Sequence, residues 1–240
     1  MRSDGRNWDK ERKIEYHIGY LKYAAGSCLV KMGNTEVLCA ATVEKRVPPF
    51  LVGTGSGWIT AEYGMLPCST KERTLREGTL GRANARTYEI RRFLGRSLRA
   101  ICDLSALKEY QIIIDCDCLQ ADGGTRTASF NGALIALYQA TRGLLAKRII
   151  DRDPIIEFAG AISVGIVNSR ILLDLTYEED SQAEVDMNLV LTESGRIVEI
   201  QATAEKIPFH YETFQRMFEV AKAGISRIIE EGKLAIKPLT

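Results

Sequence analysis

Apolar and polar positions along the chain recur in two rhythms, and the changes between them predict the elements. Ser27-Cys28-Leu29-Val30-Lys31-Met32 and Thr35-Glu36-Val37-Leu38-Cys39-Ala40-Ala41-Thr42 are β-rich runs on either side of Gly33-Asn34. This predicts a hairpin closed by a two-residue turn. Pro48-Pro49 and the glycines at 53, 55 and 57 predict a loop, followed by a strand from Trp58 to Tyr63. Ile90, Phe93, Leu94, Leu98 and Ile101 fall at helical spacing and predict an amphipathic helix with its arginines on the other faces. Ile112 to Leu119 predicts a strand, and Leu134, Leu137, Tyr138, Leu144 and Leu145 a long amphipathic helix after it.

Asp153-Pro154 breaks the pattern, and a second hairpin follows in Ala161 to Val167, Asn168-Ser169 and Arg170 to Thr176. Val185, Met187, Leu189 and Leu191 alternate through a strand that carries Asp186 on its other face. Ile197 to Thr203 predicts one more strand, and Phe214, Met217, Phe218, Ala221, Ile225, Ile228 and Ile229 a last amphipathic helix. Val30, Asn34, Leu38 and Thr42 match Val164, Asn168, Leu172 and Thr176 in one register, and each half closes with a Gln-Ala strand leading to a helix. The expectation is one domain over residues 1–240, internally duplicated with approximate halves 1–150 and 151–240, as a pseudo-symmetric sheet with helices against it.

Composition narrows the function classes. The chain has 240 residues, 45% of them hydrophobic, enough for a real core. Its charges nearly cancel to +1, so polyanion binding has to come from local clustering. Such a cluster exists between Lys71 and Arg99, where Arg73, Arg76, Arg82, Arg86, Arg91, Arg92, Arg96 and Arg99 crowd together with few acids. Collectively they suit a phosphate backbone; singly, each could equally serve a solvated face or a subunit contact. The six cysteines lack CxxC spacing and a histidine partner, which argues against zinc, and free thiols imply a reducing compartment. The N-terminus is too charged for a signal peptide and no apolar run is long enough to span a membrane, so a soluble, intracellular protein is expected.

Two stretches carry chemistry. Gln120-Ala121-Asp122-Gly123-Gly124-Thr125-Arg126-Thr127-Ala128-Ser129 joins a predicted strand to a predicted helix. The first amides of a helix lack partners and its dipole is positive there, so an oxyanion fits. Gly123 and Gly124 let a backbone approach a ligand, Thr125 and Ser129 offer hydroxyls, and Arg126 offers a fork for phosphate. An Asp-Gly turn with a Ser/Thr cap is the plainer alternative, but Arg126 would be repelled by the dipole without an anion beside it. The second stretch, Glu178 to Asp186, is the densest acidic run. It reads as a solvated turn or, because Asp186 begins a strand, as carboxylates placed to share Mg²⁺ with phosphate oxygens.

Arg2-Ser3-Asp4-Gly5-Arg6, Trp58-Ile59-Thr60-Ala61-Glu62-Tyr63-Gly64-Met65-Leu66-Pro67, Gly95-Arg96-Ser97-Leu98-Arg99-Ala100, Asp115-Cys116-Asp117, the Gln120 to Ser129 loop, Ser163-Val164-Gly165-Ile166-Val167, Asp186-Met187-Asn188 and Gln201-Ala202-Thr203-Ala204-Glu205 together carry a resemblance. It is to the ribonuclease PH family of phosphorolytic exoribonucleases. It implies an α+β fold with mixed sheets and packed helices, built from duplicated left-handed βαβ units similar to ribosomal protein S5 domain 2. It maps phosphate binding onto Arg86, Gly124, Thr125 and Arg126, and catalysis with a divalent metal, Mg²⁺, onto Asp180 and Asp186. Arg92, Arg96 and Arg99, with Tyr88 or Phe50 as an aromatic surface, are the RNA-binding candidates.

The implied reaction is phosphorolysis. Inorganic phosphate attacks the last phosphodiester of an RNA 3′ end, that of a tRNA precursor or ribosomal RNA, and releases a nucleoside 5′-diphosphate; the reverse reaction adds nucleotides. The resemblance further implies a cytoplasmic homohexamer, a trimer of dimers, with Arg73 and Arg76 between subunits and Cys68 where many relatives have an arginine. The alternative is a catalytically silent, exosome-like ring subunit that binds RNA, but such a scaffold need keep neither the arginines nor the aspartates.

Overall fold

The computed structural model describes residues 2–76 and 84–239, which leaves Arg82 of the basic cluster outside the described residues. Five strands form the first sheet: Ile14–Ile18 (β1), Gly26–Met32 (β2), Thr35–Glu44 (β3), Trp58–Met65 (β4) and Gln111–Gln120 (β5). Their order is β1-β2-β3-β5-β4, antiparallel except where β4 and β5 run parallel. Between β4 and β5 the chain passes through Ala85–Ala100 (α1), which packs on β4. Ile90, Phe93, Leu94 and Leu98 form its buried stripe, and Asn84 caps its start by accepting the Thr87 amide at 2.8 Å.

Four strands form the second sheet, Ala159–Val167 (β6), Arg170–Leu173 (β7), Val185–Thr192 (β8) and Ile197–Ala204 (β9), antiparallel in the order β7-β6-β8-β9. One helix, Thr125–Ala146 (α2), lies between the sheets, against β2, β3 and β5 on one side and β6 on the other. Both faces are therefore apolar, and the amphipathic helix expected here is instead buried nearly all round. Gly26 permits the close approach, because a Cβ there would stand 2.1 Å from the Ala136 carbonyl oxygen. A one-turn helix, Tyr177–Asp180 (α3), precedes β8, and Tyr211–Ile236 (α4) covers the far side of the second sheet. One buried apolar cluster runs through both sheets and α1, α2 and α4. Among the described residues no helix is long and apolar enough to cross a membrane.

Two local expectations are corrected. The strand predicted through Thr176 ends at Leu173, because Asp174 takes φ +53° and buries its carboxylate completely. The two hairpin turns are Gly33-Asn34 and Asn168-Ser169, so by turn position Gly33 stands opposite Asn168, one residue from the register read in the sequence. The hairpins also sit differently: both strands of the first, β2 and β3, are interior in their sheet, whereas β7 of the second is an edge strand.

Candidate active site

The loop before α2 is shaped by its own chain. Gly123 and Gly124 have φ of +75° and +63°, the left-handed region that glycine takes without strain. A Cβ on Gly123 would lie 2.4 Å from the Leu175 carbonyl oxygen and 2.8 Å from the Tyr177 nitrogen. The close approach expected for a ligand is thus, at Gly123, an approach to residues 175–177. Asp122 braces the same junction, its two carboxylate oxygens accepting from the Tyr177 amide at 3.3 Å and the Asn34 side chain at 3.1 Å.

The hydroxyls of this loop are also turned inward. Ser129 is fully buried and donates to the Thr125 carbonyl at 2.7 Å, which corrects the expectation that it faces a ligand. Thr125 is buried with its Oγ1 3.0 Å from the Tyr63 hydroxyl. The backbone of the first turn is different: Gly124 precedes the first residue of α2 and caps no amide through a side chain, and the leading amides of a helix have no intrahelical partner.

A cleft of about 720 Å³ opens beside that turn, lined by Arg86 from α1, Arg126 from α2, Asp180 from α3 and Asp186 from β8. Four elements distant in sequence deliver these groups. Gly124 and Thr125 are not among its lining residues. Arg126 is mostly buried; its Nη1 donates to Glu89 Oε1 at 2.9 Å and to the Gln201 side-chain oxygen. Arg86 is exposed at the mouth. Asp186 accepts from Asn188 Nδ2 at 3.0 Å, and Glu205 and Lys206 complete the rim. Burial and the neighbouring Asp180 push the Asp186 carboxyl up to about 6, opposed by Arg126. Burial also raises Asp180, opposed by Arg86 and Arg126. The cleft therefore holds two strained carboxylates and two cations in one partly dry space.

The sequence places Asp186 on the strand face opposite Val185, Met187, Leu189 and Leu191. In β8 both faces are buried beyond it, Asn188 and Val190 included, because the second sheet lies between α2 and α4. Among the described residues no three His, Cys, Asp or Glu side chains gather to hold a metal. The donor set is two carboxylates, which suits Mg²⁺ in company with phosphate oxygens and waters rather than a cation needing a full protein cage.

The RNA-binding candidates divide. Arg92 is exposed on α1. Arg96 pairs with Glu199 at 2.6 Å, tying α1 to β9. Arg99 donates to the Ile59 carbonyl at 2.8 Å and stacks over Trp58 with 4.1 Å to the ring centroid, so it holds α1 onto β4. Phe50 packs edge-on against Trp58, and Tyr88 lies beside Arg91; both rings remain exposed.

Residues given no role in the sequence reading hold the site together. Glu89 and Gln201 aim Arg126, and Asn188 orients Asp186 from the same strand face, a pairing legible in the two-residue spacing. Arg12 and Asp174 link the loop of residues 122–124 to the approach to α3. A larger groove of about 1230 Å³, lined by Trp8, Arg170 and Arg216 among others, lies across α3; its carboxylates are glutamates, and Glu179 among them is already paired with Arg2.

Similarity to known proteins bears on this cleft. Two profiles of the 3′ exoribonuclease family match, that of domain 1 over residues 10–142 and that of domain 2 over residues 157–224. Ribonuclease PH of Bacillus pumilus is 51% identical over 234 residues, 97% of each chain. That of Maricaulis maris is 52% identical over 237 residues, 99% of this chain and 100% of its own. Among solved structures, the Archaeoglobus fulgidus exosome with RNA bound to its active site superposes with a TM-score of 0.81 at 22% identity, covering 96% of this chain and 92% of its own. Rice Rrp46 gives 0.79 at 20% identity over the whole of both chains. At these identities the exosome chains share the fold alone.

Proposed function

The chain belongs to the RNase PH family of 3′ exoribonucleases, and from that premise we propose that the cleft of Arg86, Arg126, Asp180 and Asp186 is its phosphorolytic site. The protein is a phosphorolytic 3′ exoribonuclease, a nucleotidyltransferase in the reverse sense. The observation that carries the site assignment is the convergence of two arginines and two aspartates from four elements on one cleft.

The chemistry brings two anions into line, the attacking phosphate and the terminal phosphodiester. Arg86 and Arg126 offset their repulsion, and the leading amides of α2 at Gly124 and Thr125 add donors that need no reorganisation. Glu89 and Gln201 keep the Arg126 fork aimed into the cleft. Asp180 and Asp186 would hold Mg²⁺, which when bound supplies charge neutralisation at the phosphorus and the leaving oxygen. One of the two aspartates serves alternatively as proton donor to that oxygen, a role that a carboxyl raised to about 6 can fill near neutral pH. Because a phosphodiester is exchanged for a diphosphate, the site also runs in reverse and extends RNA.

The substrate is a single-stranded RNA 3′ end, that of a tRNA precursor first and ribosomal RNA second, led in past exposed Arg92 and Tyr88. A duplex such as an acceptor stem stalls it. We read residues 1–240 as one internally duplicated domain, supported by the single core through both sheets. The assembly is a ring of three dimers, with exposed Arg73 and Arg76 reserved for neighbouring subunits. Free cysteines accord with a cytoplasmic setting. The silent ring-subunit reading has less behind it, since similarity to exosome chains is 20–22% against 51–52% to ribonucleases PH.

The test is incubation with a 3′-labelled tRNA precursor and Mg²⁺, with and without inorganic phosphate. Phosphate-dependent release of nucleoside diphosphate, lost in a folded Asp180→Asn variant and strongly weakened at limiting phosphate in Arg126→Ala, is the expected result. Release of monophosphate without phosphate would overturn it.

A further inference from the structure

We propose that the buried ion pair between Arg2 and Glu179 is a positioning device that sets the direction of Asp180 and thereby the affinity of the site for its divalent cation. The inference rests on the reading of Asp180 as a metal-holding carboxylate.

A one-turn helix has no stability of its own, because forming the first turn orders several residues for a single hydrogen bond. Yet α3 carries Asp180 as its last residue, facing a cleft in which Asp186 presents a second negative charge. Two carboxylates in one cleft repel, and a frayed α3 would swing Asp180 outward. Something must hold the turn.

Glu179 does so at three points. Its side chain accepts from the Thr176 amide at 3.0 Å, while Thr176 Oγ1 accepts from the Glu179 amide at 3.4 Å, a reciprocal cap at the start of the helix. The remaining capacity of the carboxylate goes to Arg2, Nε to Oε1 at 2.8 Å and Nη2 to Oε2 at 2.7 Å. That two-pronged geometry fixes the plane of the carboxylate as well as its place. Arg2 is itself anchored, donating to the Leu173 carbonyl at 2.7 Å and the Asp174 carbonyl at 2.8 Å, so the pair is referenced to the end of β7. Adjacent side chains on a helix diverge by about 100°. Pinning Glu179 inward onto Arg2 therefore turns Asp180 toward the cleft, on the opposite side from the large groove that Arg2 and Glu179 line.

Glu179→Gln keeps the shape and the cap but gives up the charge; Arg2→Lys keeps the charge but gives up the fork. The measurements are Mn²⁺ binding to the RNA-free protein by calorimetry, and kcat and KM for RNA on the same preparations. Glu179→Gln is expected to weaken Mn²⁺ binding and lower kcat, each by about 10-fold or more, with KM for RNA within about twofold. Arg2→Lys should fall between it and the parent. If the folded fraction of either variant binds Mn²⁺ as the parent does, the pair is merely structural and the proposal is overturned. Asp180→Asn separates the two levels: parental Mn²⁺ binding in that variant overturns the site reading and this inference with it. A defect there beside a normal Glu179→Gln overturns the inference alone.

Discussion

Arg12 and Asp174 face each other in the interior, Arg12 Nη2 2.6 Å and Nε 2.9 Å from the two carboxylate oxygens, and the Arg12 backbone amide adds a third bond at 2.7 Å. The same guanidinium donates to the carbonyls of Asp122 at 2.5 Å and Gly123 at 3.3 Å. One buried arginine thus clamps the loop before α2 to the segment leading into α3, the chain just ahead of the helices that carry Arg126 and Asp180.

Removing one partner of such a pair leaves the other charge buried and alone. Asp174→Asn is therefore expected to cost about 3–5 kcal/mol in urea unfolding at pH 7. Burial would raise the Asp174 carboxyl, but Arg12 and then Arg6 hold it below the usual carboxylate value. Its folded value lies under its unfolded one, so its contribution is full above about pH 4 and is lost as the pH falls further. The stability gap between parent and variant should narrow below about pH 4; a gap that widens there would contradict the assignment.

Asp186 behaves in the opposite sense. Its carboxyl is raised to about 6 by burial and by Asp180, so keeping it ionised costs folding free energy that grows as the pH rises from about 4 to about 6. In the presence of a chelator, Asp186→Asn should be more stable than the parent by about 1–3 kcal/mol at pH 7.5 and no different near pH 4. The same variant should lose most of kcat. Stability and activity would then be traded at one residue, and equal stability at both pH values would argue against the strained carboxylate.

Arg126 is held by Glu89 and Gln201, whereas Arg86 is exposed at the mouth of the cleft. Arg126→Ala is expected to raise KM for phosphate by about 10- to 100-fold, the worth of a charged hydrogen bond, with KM for RNA nearly unchanged. Gln201→Leu, which only releases the arginine, should give a smaller rise in the same constant. Kinetics at varied phosphate and fixed RNA distinguish these outcomes from a general loss of folded enzyme.

Asn131 joins the two layers. It donates from Nδ2 to the Ala161 carbonyl at 2.9 Å and accepts from the Ala161 amide at 2.8 Å. The pairing of β7 with β6 begins only at Val164, so this edge of Ala161 depends on the side chain. Asn131→Leu would leave a buried donor and acceptor without partners, a loss of about 2–4 kcal/mol in denaturant unfolding. A change below about 1 kcal/mol would mean that water or a backbone shift replaces the amide.

Gly123 tests the origin of the loop. Gly123→Ala places a methyl against the Leu175 carbonyl at a positive φ, and should be destabilising by more than about 1 kcal/mol. Were the glycine kept only for a ligand, stability would be untouched while phosphate binding fell.

Much of this architecture was legible along the chain. Both hairpins, the strand and helix on either side of residues 120–125, and the stripe of Ile90, Phe93, Leu94 and Leu98 follow from spacing, because burying one face of an element imposes its period on neighbouring residues. The place of Arg126 at a helix start was legible too, from the glycine-rich turn before an apolar helical run. What spacing could not show is which side of an element faces which other element. Helix α2 looked one-sided and is enclosed on both, and the strand expected through Thr176 stops at Leu173 for the sake of a carboxylate buried among Arg12 and Arg6. Ser129 looked like a ligand hydroxyl and bonds its own helix; Gly123 looked open to a ligand and meets residues 175–177. The pairs Arg2–Glu179 and Arg12–Asp174 span more than 160 residues, and no local pattern encodes a contact at that separation. The sequence by itself determined the elements and the chemical groups, which depend on neighbours along the chain. The tertiary structure alone decided their partners, because burial and charge pairing act between residues that only folding brings together.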